Sequence, residues 1–184
     1  MVKILHARWI SWNSDSAENL VLKETGEDIV AESKITSRGT KPFAATYTIV
    51  CDLAWHTRYF RVDLDSEGVV KTLSLEGNGS GKWSDSSEIA KSIDGAIDID
   101  LTATPFTNTL PIRRLGLDEN QSQEIMVAYV LIPELEVSAK RQRYTCLVEN
   151  RRYRFEQIDD GFVSEMDIDE NGLVMTYSGL FMQV

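Results

Sequence analysis

Alternation limits the fold of this chain more than any other property of its sequence. Between Thr57 and Leu64, the residues Phe60, Val62 and Leu64 stand against Tyr59, Arg61 and Asp63. This is the period-two pattern of a strand with one buried face. Similar runs fill Leu5 to Ser11, Glu18 to Lys23, Asp28 to Ile35 and Ala44 to Leu53. They resume at Gln123 to Ile132, Leu135 to Val148, Tyr153 to Phe155, Phe162 to Ile168 and Leu173 to Tyr177. Turn residues part them: Asn13-Ser14-Asp15, Thr25-Gly26-Glu27, and Pro133 at the end of a long apolar run. No long window carries the apolar stripe of an amphipathic helix. The one helix the sequence suggests is Ser86 to Ser92, with Ser84 or Asp85 as a weak cap. Roughly a dozen short strands in hairpin succession predict an all-β, long antiparallel meander. A flat sheet that wide leaves one face wet and two edges unpaired, so it must curl or close into a barrel-like form.

The 184 residues suit one domain over 1–184, large enough to bury a core without disulfides. Cys51 and Cys146 each lie in an apolar run and read as buried thiols, since no CxxC spacing joins them. The net charge of -10 repels phosphate backbones and anionic bilayers, so neither nucleic acid nor a membrane surface is the expected partner. No apolar stretch is long enough for a membrane span, and the N-terminus has no apolar leader. A cytoplasmic protein, monomer or homodimer, is the expectation.

Val62 to Leu73 resembles Met166 to Tyr177, which suggests two similar hairpins and a half-sheet in each part of the chain. Asp167-x-Asp169-x-Asn171-Gly172 opens like a calcium loop. The last position of such a loop requires a bidentate Glu and holds Ser178, or Ser74 in the first copy. A tight hairpin turn explains both, so no metal is expected.

Residues 77–117 are not explained by sheet packing. Gly77, Gly79 and Gly81 precede Trp83 without the spacing of a phosphate-binding loop. They suit a sharply bent strand or a close backbone approach, and Trp83 then serves as a core residue or a pocket wall. Asp98 and Asp100 fall on one face of a strand. Arg113 and Arg114 are adjacent, so on an extended segment at most one faces the aspartates, as a guanidinium–carboxylate pair. Thr104, Thr107, Asn108 and Thr109 surround Pro105 and Phe106 with hydroxyl and amide groups. That chemistry suits a turn bonded to its own backbone, and it also suits recognition of sugar hydroxyls.

Gly95-Ala96-Ile97-Asp98-Ile99-Asp100-Leu101, followed by Thr104-Pro105-Phe106-Thr107-Asn108-Thr109-Leu110-Pro111-Ile112-Arg113-Arg114-Leu115, resembles the signature of the bacterial Putative glycolipid-binding family. Gly81-Lys82-Trp83, Gln142-Arg143-Tyr144-Thr145, Tyr153-Arg154-Phe155 and Asp169 to Phe181 extend the likeness to nearly the whole chain. Ala96 stands where a cysteine is common, and Ser178 where a proline is common. The resemblance implies a spiral β-roll similar to the half-barrels of bacterial lipoprotein carriers, with one or two short helices at most. It also implies a lipid or glycolipid ligand.

Three functions are open to such a chain. In a binding module, the interior of the curled sheet holds a lipid-like ligand without a cofactor. Trp9, Trp83, Phe106, Tyr144 and Tyr153 are candidate walls. Asp98, Asp100, Thr107, Asn108, Arg113 and Arg114 are candidate polar contacts. In a structural or interaction protein, the same groups pair with each other to fix one register, and exposed sheet edges join two copies. In a glycoside hydrolase, Asp98 and Asp100 lie about 7 Å apart along a strand, within the range of a catalytic carboxylate pair. His6 and His56 stand in no metal-ligand or nucleophile motif, and an enzyme is the least expected of the three.

Overall fold

A computed structural model describes residues 2–84 and 88–184. One 13-stranded sheet runs through the chain. Its first half is an antiparallel meander of β1 (Lys3–Ser11), β2 (Ser16–Glu24), β3 (Ile29–Ser37), β4 (Phe43–Cys51), β5 (Thr57–Ser66) and β6 (Val69–Glu76). The second half is β7 (Asp98–Leu101), β8 (Ser122–Leu131), β9 (Glu136–Val148), β10 (Arg152–Gln157), β11 (Phe162–Ile168), β12 (Val174–Tyr177) and β13 (Phe181–Gln183). The spatial order is β6-β5-β4-β3-β2-β1-β13-β12-β11-β10-β9-β8-β7. Each half of the sheet therefore comes from one half of the chain, and β1 joins β13 at the seam. All neighbours are antiparallel except β7 and β8, which run parallel.

The strands form where the alternation puts them. In β2, Ala17 faces outward beside buried Glu18, Leu20 and Leu22, and β3 buries Ile29, Ala31, Ser33 and Ile35 in phase with it. Turn chemistry sets the hairpins. The β5–β6 turn has Glu67 and Gly68 at positive φ, as a tight hairpin requires. The β11–β12 turn is held by Asp169 Oδ1, which accepts from the backbone N–H groups of Asn171 and Leu173 at 2.8 Å each. The calcium-like loop thus folds as a self-capped turn, and no group of three or more acidic, His or Cys side chains among the described residues is placed to hold a metal ion.

Laid flat, thirteen strands at about 4.8 Å spacing would be on the order of 60 Å wide. Strands β6 and β7 are the two edges, yet one tryptophan reaches both. The backbone of Trp83 bridges Gly77 next to β6, and its indole N–H donates to Ala96 O just before β7 at 2.9 Å. Gly95 N also donates to Gly81 O at 2.7 Å. The sheet curls until its edges lie side by side without closing.

The expected single interior is divided. The larger cluster gathers Trp9, Leu20, Leu22, Ile49, Phe60, Ile99 and Phe106 among others. The smaller holds Ile112, Tyr144, Cys146, Tyr153, Phe155, Met166, Ile168, Val174 and Tyr177. Between them lies a helical segment that the sequence reading treated as a turn: a single 3-10 turn, Phe106–Asn108, then helix α2 (Thr109–Leu115). Thr104 Oγ1 starts it by accepting from Phe106 N at 3.0 Å. Pro111 sits in the first turn of α2, where no N–H is needed. Gly116, left-handed at φ 52°, ends it. Phe106 and Leu110 pack into the larger cluster and Ile112 into the smaller. The expected helix at Ser86 to Ser92 is described as α1 (Glu88–Ser92). Residues 85–87, including the Asp85 cap and the start at Ser86, lie outside the described residues. Cys51 and Cys146 are buried and unbridged. No described helix is long and apolar enough to cross a membrane.

Candidate functional site

Strand β7 carries two aspartates into different surroundings. Asp98 is fully buried, and Arg114 from α2 reaches it with two guanidinium nitrogens: Nε to Oδ1 at 3.1 Å and Nη2 to Oδ2 at 2.6 Å. Burial pushes the Asp98 carboxyl above its ordinary value, opposed by Arg114 and, more weakly, by His56. Arg113 points the other way. Its guanidinium lies 5.2 Å from the Trp55 ring centroid, a cation–π contact. The helix achieves what the extended segment was expected to do: one arginine, Arg114, meets an aspartate and the other does not.

Asp100 instead lines a cleft of about 280 Å³. Leu101, Thr102, Thr104 and Asn108 line it beside Asp100, and Tyr129, Phe155, Gln157, Asp160, Phe162, Tyr177, Leu180 and Phe181 complete it. Phe155 is the centre of the aromatic wall, with ring centroids 6.2 Å from Phe162 and 6.0 Å from Tyr177. Behind the surface runs a polar network. Gln142 Nε2 donates to Asp100 Oδ2 at 2.5 Å and to Gln157 Oε1 at 3.0 Å. Thr107 Oγ1 donates to Asp100 Oδ1 at 3.3 Å. Tyr144 OH donates to Asn108 Oδ1 at 2.9 Å, and the Asn108 amide donates to Pro105 O at 3.2 Å. Gln157 is buried, and its Nε2 has no hydrogen-bond partner among the described residues. Burial raises the Asp100 carboxyl, offset in part by the bonds from Gln142 and Thr107. It also raises Tyr129, with Asp100 and Asp160 adding to the effect.

A second buried carboxylate lies behind Thr104. Glu18 Oε1 accepts from Tyr47 OH at 2.6 Å and from Ser33 Oγ at 2.7 Å, while Oε2 is unpartnered among the described residues. Burial lifts this carboxyl to about 6, against the hydroxyls of Thr104, Tyr47 and Ser33.

The structure thus brings Asp100, Thr107, Asn108 and Tyr144 together at one cleft, Asp100 and Asn108 in its lining and the other two behind. It places the remaining candidates elsewhere. Asp98 and Arg114 form their own ion pair. Phe106 is fully buried and stacks on Tyr47 at 6.3 Å. Trp83 lies in the seam between the edges, Arg113 on Trp55, and Tyr153 inside the smaller cluster. Trp9 is buried, donating to Val174 O at 2.5 Å. Asp98 and Asp100 do not present two carboxylates to one cleft. Sequence reading missed Glu18, Gln142 and Gln157. A signal was there: each is a polar residue in the buried phase of an alternating strand, as in Gln142-Tyr144-Cys146 and Tyr153-Phe155-Gln157.

A family model described as Putative glycolipid-binding matches residues 6–183. A crystal structure of a DUF1089 family protein from Pseudomonas aeruginosa is similar at 36% identity, with 93% of each chain covered and a TM-score of 0.82. No curated protein matches the chain.

Proposed function

Because this chain belongs to the Putative glycolipid-binding family, we propose that it binds the sugar head group of an amphiphile in the Asp100 cleft, as one binding domain over residues 1–184 that takes up its ligand from the cytoplasm. The observation that carries this reading is the half-buried Asp100 carboxylate in a cleft also lined by Gln157, whose buried Nε2 has no hydrogen-bond partner among the described residues. A buried unpaired amide costs about 1–3 kcal/mol, and a ligand oxygen removes that cost. Sugar hydroxyls suit the place because each both donates and accepts. One hydroxyl of a vicinal pair accepts from Gln157 while the other donates to Asp100. Tyr129, Phe162 and Phe181, which line the cleft and are not buried, offer ring surface to the C–H faces of a sugar. The cleft is near the lower limit of small-ligand pockets, about 300 Å³, which fits a head group better than a whole lipid. The interior is occupied by the packed side chains of the two clusters, which moves the binding site from the centre of the roll to this cleft.

Calorimetric titration with methyl hexosides tests the reading. Binding in the millimolar range or tighter is expected. Asp100→Asn and Gln157→Leu each weaken it at least tenfold, about 1.4 kcal/mol. Equal affinity for both variants and the unaltered protein would overturn it.

A further inference from the structure

The Asp100 cleft does not end at its aromatic wall. Thr102, Leu180 and Phe181 also line a second depression of about 420 Å³. Its other apolar surfaces are Trp12, Phe43, Ala103 and Ile132. Trp12 is 54% exposed and Leu180 38%. They are held against each other by the backbone bond from Trp12 N to Leu180 O at 2.8 Å.

The two depressions differ in what they leave unpaired. In the cleft, a buried amide lacks a partner among the described residues. In the adjoining trough, the side chains of Ser11, Asn13 and Thr102 already have partners. Ser11 Oγ donates to Asp15 at 2.9 Å and accepts from Ser16 N, and Asn13 Nδ2 donates to Asp15 at 2.8 Å. Thr102 Oγ1 accepts from Ile132 N at 3.0 Å. The larger share of the surface that remains there is apolar, from Trp12, Phe43, Ala103, Ile132, Leu180 and Phe181. A ligand that spans both must be polar at one end and apolar at the other.

We infer that the trough between Trp12 and Ile132 holds the alkyl chain of a single-chain amphiphile whose head sits in the Asp100 cleft. The inference rests on the reading of that cleft and names the second half of the ligand. Chain and head meet at Thr102, Leu180 and Phe181, the residues common to both walls.

Methyl, butyl, hexyl and octyl β-glucosides, each below its micelle concentration, are titrated calorimetrically into the whole protein. The same chains on a dimethylamine N-oxide head serve as the control. Affinity for the glucosides is expected to rise from butyl to octyl by up to about fourfold per buried methylene. Trp12→Ala, a change at an exposed side chain, flattens that rise and leaves the methyl glucoside unaffected. If the methyl glucoside binds and chain length changes nothing, the trough is refuted and the cleft reading survives. If both heads bind with equal affinity at every chain length and gain with it, the trough stands and the sugar reading falls. If no member of either series binds, both are overturned.

Discussion

At Glu18, burial and hydrogen bonding act against each other, and burial wins. The folded carboxyl lies at about 6 against an ordinary 4.5. Below about 4.5 it is protonated in both folded and unfolded chains and contributes no pH dependence. As pH rises through about 6 the folded chain must ionise a buried acid, which costs about 2 kcal/mol by linkage. Glu18→Gln keeps an acceptor for Tyr47 and Ser33 and cannot ionise. Urea unfolding at about pH 3.5 and about pH 7.5 should therefore show the variant gaining about 2 kcal/mol on the unaltered protein across that range. Parallel pH curves would count against the assignment. At Asp98 burial again outweighs the partner, but here the partner is a charge. Arg114→Ala leaves an uncompensated buried carboxylate and should destabilise by about 3–5 kcal/mol. Adding Asp98→Asn should recover part of the loss, and a double-mutant cycle in denaturant measures the coupling.

Among the elements, the helical stretch from Phe106 to Leu115 does the most positioning. One of its faces delivers Arg114 to Asp98. Its first turn delivers Thr107 to Asp100 and Asn108 to Tyr144. Thr109 Oγ1 ties the helix to the β11–β12 turn by donating to Gly172 O at 2.9 Å. Thr109→Val removes that bond at nearly constant shape and should lower stability by about 1 kcal/mol. The seam element depends on Gly81. A Cβ there would stand 2.8 Å from the Gly95 backbone, and its φ of +82° is strained for any other residue. Backbone cannot swing aside as a side chain can. Gly81→Ala should cost more than about 1 kcal/mol and speed amide exchange at Gly95 and Ala96, while the Asp100 cleft, whose lining includes none of Gly81, Trp83, Gly95 and Ala96, keeps its affinity.

At the scale of the molecule, the two half-sheets are joined by a short seam. Strand β13 pairs with β1 through Trp9, Ile10 and Ser11 and with β12 through Thr176 and Tyr177. Deleting residues 181–184 should convert β1 and β12 into free edges. A lower melting temperature and concentration-dependent association, read by light scattering, are the expected outcomes. The deletion also removes Phe181 from both the cleft and the trough, so sugar binding should weaken with it.

The sequence by itself determined where most of the strands lie, which face of them is buried and where the hairpins turn, though not the short closing strand β13. Each is a local matter: side-chain direction reverses at every strand residue, and Glu67-Gly68 or Asp169 sets a turn without help from afar. It also carried the expectation that at most one of the two adjacent arginines meets an aspartate, which holds although the segment is helical and not extended. The helix at Thr109 was hidden, since Thr, Pro and Asn favour turns locally, and contacts from Tyr47 and Gly172 override that preference. The parallel pairing of β7 with β8, the approach of the two edges and the meeting of Asp100 with Gln142 and Gln157 belong to tertiary structure alone. Polar residues in a buried register announce that a partner exists, but only the curling of thirteen strands decides which group, or which ligand, supplies it.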